Sequence, residues 1–110
     1  MGLYLGSAAD GVARFRVARG PEGEGGAMPL YMDVHTIGGG IAAADVAGLH
    51  EKDLAYQHNH DVKFIKYWVD EAAGKVFCLS EAPNSDAAVA VHREAHGAVA
   101  DEIYEVGEYQ

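Results

Sequence analysis

A period-2 apolar run at residues 30–35, two helix-length segments of 3.6-residue periodicity, and a hairpin between those segments set out the order βαββαβ. That order predicts an α+β domain of the ferredoxin-like split βαβ class, a sandwich of one sheet and two helices. The helices are long enough to cover one sheet face. The other face would be left open, and pairing two copies across it would give a homodimer of the dimeric α/β barrel type.

Each element has a local reason. Leu30, Met32 and Val34 alternate with Tyr31, Asp33 and His35, so the first strand has one apolar face, while Asp33 and His35 share the other. Gly38-Gly39-Gly40 ends it as a turn; without a following Lys-Ser/Thr or a G-x-G-x-x-G it is no phosphate loop. Residues 42–58 read as a helix with Val46, Leu49 and Leu54 marking the buried stripe and Glu51, Lys52 and Ala55 opposite. His50, Asp53 and Gln57 fall inside that stripe, where polar groups cost free energy unless paired.

Residues 62–69 carry the β-branched and aromatic content of a strand, 70–74 form a turn, and 75–81 return as the second arm of a hairpin. Pro83-Asn84-Ser85-Asp86 supplies capping residues for a second helix from Asp86 to about Ala100. Its apolar face is Ala88, Val91, Ala95 and Val99, with His92 at the edge and His96 just beyond. A last strand covers about 102–106.

One domain at 28–110 accounts for all of this. The preceding 27 residues hold three of the eight basic side chains (Arg14, Arg16 and Arg19) and run into a glycine-rich stretch at 20–26. So few large apolar groups cannot offset the entropy of ordering, and a flexible tail is expected. Glu22-Gly23-Glu24-Gly25-Gly26, just before Met28, also reads as a translated purine-rich ribosome-binding site, which would make Met28 the native start. N-terminal sequencing of the untagged product tests this.

A formal charge of −9 disfavours nucleic acid and anionic membrane surfaces as partners and favours cations. Cys78 is the only cysteine and cannot form an internal disulfide. With no secretory signal and no apolar run near the roughly 18 residues of a spanning helix, the expected location is cytoplasmic.

The six histidines direct attention to metal. His92 and His96 lie one helical turn apart on one face, which is chelating geometry. His50 and Asp53 are three apart on the first helix, where an aspartate can orient a histidine ligand. His35, Glu81 and Glu102 sit at strand ends that could reach the same rim. The candidate metal ligands are therefore His92, His96, His50, His35, Asp53, Glu81 and Glu102. Imidazole with carboxylate suits Ni(II), Cu(II), Zn(II) or Co(II), with Ni(II) and Cu(II) above most first-row competitors. His58 and His60 can chelate as a local pair, but in a loop they are expected to be solvated.

Met32 to His35, Tyr67 to Asp70, Val76 to Pro83, Val91 to Gly97 and Asp101 to Val106 together resemble a family of small bacterial domains that includes a nickel-binding protein. The resemblance spans Met28 to about Gly107. It implies a ferredoxin-like homodimer that binds nickel, for sequestration or detoxification rather than catalysis, and it fixes no ligand set. The expected double variant His92→Ala/His96→Ala then loses most Ni(II) affinity and keeps its fold. A competing expectation is a dimeric α/β-barrel enzyme acting on a small organic substrate in a pocket lined by His50, Asp53, Cys78 and His92. A third is a regulatory module whose assembly responds to metal. A deep enclosed pocket at His50 would favour the enzyme, and surface-clustered histidines would favour storage.

Overall fold

The computed structural model describes residues 28–110. The expectations of a flexible tail and of a start at Met28 concern residues outside these. The elements are β1 (Leu30–Thr36), α1 (Ala43–Tyr56), a 3₁₀ turn (Gln57–His60), β2 (Lys63–Asp70), β3 (Lys75–Glu81), α2 (Ser85–Ala95) and β4 (Glu102–Val106). The four strands form one antiparallel sheet in the order β2-β3-β1-β4, with both helices over one face, as in the ferredoxin-like fold. Among the described residues no helix is long and apolar enough to cross a membrane.

The pleat of β1 is used the opposite way from an ordinary half-buried strand. Its polar alternates lie under the helices: Tyr31, Asp33 and His35 are buried there, while Leu30 and Met32 are half-buried on the open face. β3 pairs with β1 so that Asp33 stands opposite Cys78, and His35 opposite Val76. On β2 a bulge between Phe64 and Lys66 resets the alternation. Strict alternation would put Phe64 and Tyr67 on opposite faces; the bulge brings both beneath the helices. The Phe64 N–H donates instead to Gln57 Oε1 at 2.8 Å, which accounts for one of the three polar groups on the buried stripe of α1.

Helix bounds and stripes differ from expectation at two places. α1 ends at Tyr56 and tightens into the 3₁₀ turn, and Leu54, expected inside, is 43 % exposed. Val46 and Asp53, seven residues or about two turns apart, are the buried positions, so Leu54 is rotated about 100° off the stripe. α2 stops at Ala95 rather than near Ala100, because Gly97 takes φ +84° and turns the chain out of the helix. Val99, expected on the apolar face, is therefore in the connection and 40 % exposed. The cap of α2 is as expected: the Ala87 N–H donates to Asn84 Oδ1 at 2.9 Å.

The β2–β3 turn anchors the start of α1. Ala42 offers no side-chain cap, and the Ala43 N–H donates to Glu71 Oε2 at 2.7 Å from that turn. Ile37 N–H donates to the Gly74 carbonyl at 2.7 Å, and Gly74 has φ +69° with the place a Cβ would take lying against the Ile37 carbonyl oxygen. A Cβ there meets backbone as well as an unfavourable φ. Gly74→Ala is expected to cost at least about 3 kcal/mol, read as the urea midpoint.

Candidate metal centre

Beneath α1 and α2 lies a continuous chain of five buried or part-buried polar side chains. His35 Nε2 donates to Asp33 Oδ1, and His92 Nε2 donates to Asp33 Oδ2, each at 2.9 Å. On the opposite edge of its ring, His92 Nδ1 donates to Asp53 Oδ1, which also accepts from His96 Nε2, again each at 2.9 Å. His92 is 1 % exposed, Asp33 0 % and Asp53 3 %. Three elements deliver these groups: β1 through the polar side of its pleat, α1 through its inward stripe, and α2 through one turn of helix. Ala88 and Val91, both fully buried, seat α2 close to the sheet and carry His92 inward with them.

The hydrogen bonds fix the proton positions. His96 Nδ1 accepts from the Ala98 N–H at 3.0 Å, so the proton of its ring is on Nε2, facing Asp53. Burial holds the His96 pKa below its ordinary value, with Asp53 opposing only in part. For His92 burial also works against the charged form, yet the bonds and charges of Asp33 and Asp53 outweigh it and push the pKa up to about 9. Asp33 is desolvated, but its bonds from His35 and His92 more than compensate and hold its pKa below the ordinary value. Burial pushes the Cys78 thiol well above its ordinary pKa, and the neighbouring aspartates add to this. With two ionised aspartates and one imidazolium, the network carries one net negative charge.

Two ligand groups can be assembled from these side chains. Asp33, His35, Cys78 and His92 offer donor atoms that all lie within 4.8 Å of one another, and so do Asp53, His92 and His96. His92 belongs to both.

The candidates proposed from sequence divide by sheet face. His92, His96, Asp53 and His35 come together. His50 lines the same cavity but packs its ring on Tyr67, with centroids 4.7 Å apart, and belongs to neither group. Glu81 and Glu102 do not reach the site: Ser80 and Ile103 are the inward alternates of their strands, which leaves both carboxylates on the open face. His60 donates to Glu94 Oε1 at 2.9 Å and ties the 3₁₀ turn to α2, and Asn59 Nδ2 donates to the same oxygen at 3.4 Å. Asp33 was absent from the sequence-based ligand set. Its signal was present in the Asp33-x-His35 spacing, which puts both on one face of a strand.

His35, His92 and His96 are thus clustered, the first two buried and the third part-buried, matching neither a surface store nor a deep substrate pocket. The cavity they line has a volume of about 40 Å³, and His35, Asp53, Cys78, His92 and His96 all reach it. Among the described residues no lysine or arginine lines it.

The family model for nickel responsive proteins of the SCO4226 type matches residues 31–106. The crystal structure of SCO4226 from Streptomyces coelicolor A3(2) superposes with a TM-score of 0.69 at 40 % identity, covering 74 % of this chain and 99 % of that one. No curated protein matches the chain.

Proposed function

The chain belongs to the SCO4226-like family of nickel responsive proteins, and from that premise we propose that it binds Ni(II) in its buried histidine–aspartate network, serving nickel sequestration or detoxification as a cytoplasmic homodimer. The carrying observation is a run of four 2.9 Å contacts through three histidines and two aspartates, with no lysine or arginine among the described residues lining the cavity beside them. A buried net negative charge is costly, and a divalent ion that replaces one His92 proton neutralises both aspartates. Asp53, His92 Nδ1 and His96 Nε2 would hold the ion, with the His96 ring proton passing from Nε2 to Nδ1 and the bond from the Ala98 N–H given up. His92 Nε2–H would remain on Asp33, an arrangement that orients a histidine ligand and raises its basicity. Nitrogen and oxygen donors of this kind suit Ni(II), with Cu(II), Zn(II) and Co(II) as competitors.

The size of the cavity favours this over the catalytic reading. About 40 Å³ accommodates an ion with a water or two, whereas small-molecule sites enclose several hundred. Titration of metal-free protein with Ni(II) is expected to show saturable binding, weakened about tenfold or more by Asp53→Asn. Binding that is unaffected by this change would remove the network from the reading.

The dimer rests on the open sheet face. Trp68 and Tyr104 are each 46 % exposed there, beside half-buried Phe77, Leu79 and Met32, an apolar surface of the kind that marks an interface. Placing a charge at its centre with Phe77→Glu is expected to yield monomers by sedimentation velocity. A wild-type protein that sediments as a monomer would rule the dimer out.

A further inference from the structure

The 3₁₀ turn after α1 carries a histidine pair that the buried network does not use. We propose that His60 and Glu94, with His58 as a third donor, form a separate metal seat on the surface. It takes a borderline divalent ion of tetragonal geometry, Cu(II) before Ni(II). The seat shares no residue with the buried network and does not depend on that network's binding metal.

The fold brings the donors together from distant parts of the chain. His58, Asn59 and His60 lie on the 3₁₀ turn, and Glu94 lies in the last turn of α2, 34 positions beyond His60. His60 Nε2 and Glu94 Oε1 are 2.9 Å apart, and their side chains are 31 % and 43 % exposed. Asn59 Nδ2 donates to the same carboxylate oxygen at 3.4 Å, so the Glu94 head is already fixed toward the turn. His58 is exposed and stands within electrostatic reach of Glu94. Among the described residues its ring makes no hydrogen bond that would hold it away.

Spacing decides the kind of ion. With metal–donor bonds of about 2.0–2.1 Å, two donors at a right angle stand roughly 2.8–3.0 Å apart, whereas tetrahedral donors stand about 3.3–3.4 Å apart. The separation of His60 from Glu94 is the first of these, which suits tetragonal Cu(II) or Ni(II) over tetrahedral Zn(II), and Cu(II) binds such donors more tightly than Ni(II). The protons can be accommodated. On metal binding the His60 ring proton passes from Nε2 to Nδ1, which has no partner to give up among the described residues. His96 differs, because its Nδ1 accepts from the Ala98 N–H. As an exposed carboxylate Glu94 is charged at neutral pH, and water fills the ion's remaining positions.

The test titrates the metal-free full chain with CuCl₂ by calorimetry and follows the backbone amide signals by NMR, where paramagnetic Cu(II) broadens the groups near it. The signals of His58, Asn59, His60 and Glu94 are expected to broaden together, with uptake of an ion that Asp53→Asn does not disturb. His60→Gln keeps an N–H for Glu94 and removes the imidazole. It should weaken that uptake by at least about tenfold and leave the binding that Asp53→Asn weakens within about threefold. Signals of the 3₁₀ turn that stay sharp once Cu(II) exceeds one equivalent would overturn the inference, as would Cu(II) uptake that is the same in His60→Gln and wild type. The broadening is read on the wild-type chain, so it decides even if a variant folds poorly. Uptake that His60→Gln removes, in a chain with no binding sensitive to Asp53→Asn, would uphold the surface seat and reject the nickel reading of the buried network alone.

Discussion

His92→Ala is expected to abolish Ni(II) binding and to bring the protein close to unfolding. The loss of binding follows from position: His92 belongs to both ligand groups, so its removal should weaken Ni(II) by about a hundredfold or more in a calorimetric titration. The loss of stability follows from what remains. Asp33 and Asp53 would be left buried with no cation between them, and breaking one partner out of a buried charged network costs about 3–5 kcal/mol. That is a large share of the roughly 5–15 kcal/mol that keeps a small domain folded. This prediction departs from the expectation that a His92/His96 double alanine variant keeps its fold: a histidine at the edge of an apolar stripe reads as dispensable, whereas one between two buried aspartates has charged partners to strand. Adding Asp53→Asn to His92→Ala should recover part of the lost stability, because it removes one stranded charge. A urea midpoint for His92→Ala within about 1 kcal/mol of wild type would refute the argument.

Raising the pH should destabilise the metal-free protein and strengthen its grip on Ni(II). His92 has a folded-state pKa of about 9 against 6.5 when unfolded. A raised pKa contributes stability that is complete below 6.5 and is lost as the pH rises through about 9. The full effect is on the order of 3 kcal/mol. Burial of the Cys78 thiol acts in the same direction once the pH exceeds its ordinary value of 9.0. On the acid side the signs reverse. His96 is held neutral, so its contribution falls away below 6.5, and Asp33, with its lowered pKa, loses its contribution as pH falls below 3.8. Metal-free stability should therefore peak near pH 6.5 and decline both ways. Ni(II) takes the place of a His92 proton, so the stabilisation it adds should grow from about pH 6 to about pH 9, the range in which that proton is held less tightly. Urea melts across this range, with and without Ni(II), measure both trends. Metal-free stability that rises steadily from pH 6.5 to 9 would show that His92 is not held as an imidazolium.

By itself the sequence determined the element order, the open sheet face and the presence of histidines spaced to share one metal ion. These depend on local periodicity: the alternation at 30–35, the helical spacing of Val46 and Asp53, and the one-turn separation of His92 and His96 all survive without knowledge of neighbours. The family resemblance was likewise legible from short blocks along the chain. What only the tertiary structure decided was which groups meet. Asp33 joins His92 across 59 positions and Asp53 joins it across 39, distances over which no periodicity carries information. Glu81 and Glu102 lie at strand ends near the rim in sequence terms, yet the pleat turns them to the opposite face. The buried side of β1 is its polar side, a choice that becomes favourable only once the aspartates of β1 and α1 and the histidine of α2 satisfy one another's hydrogen bonds. The physical reason is the same throughout: burying a charge is unfavourable for any one residue alone, and the partners that reverse the sign come from elements far apart in the chain.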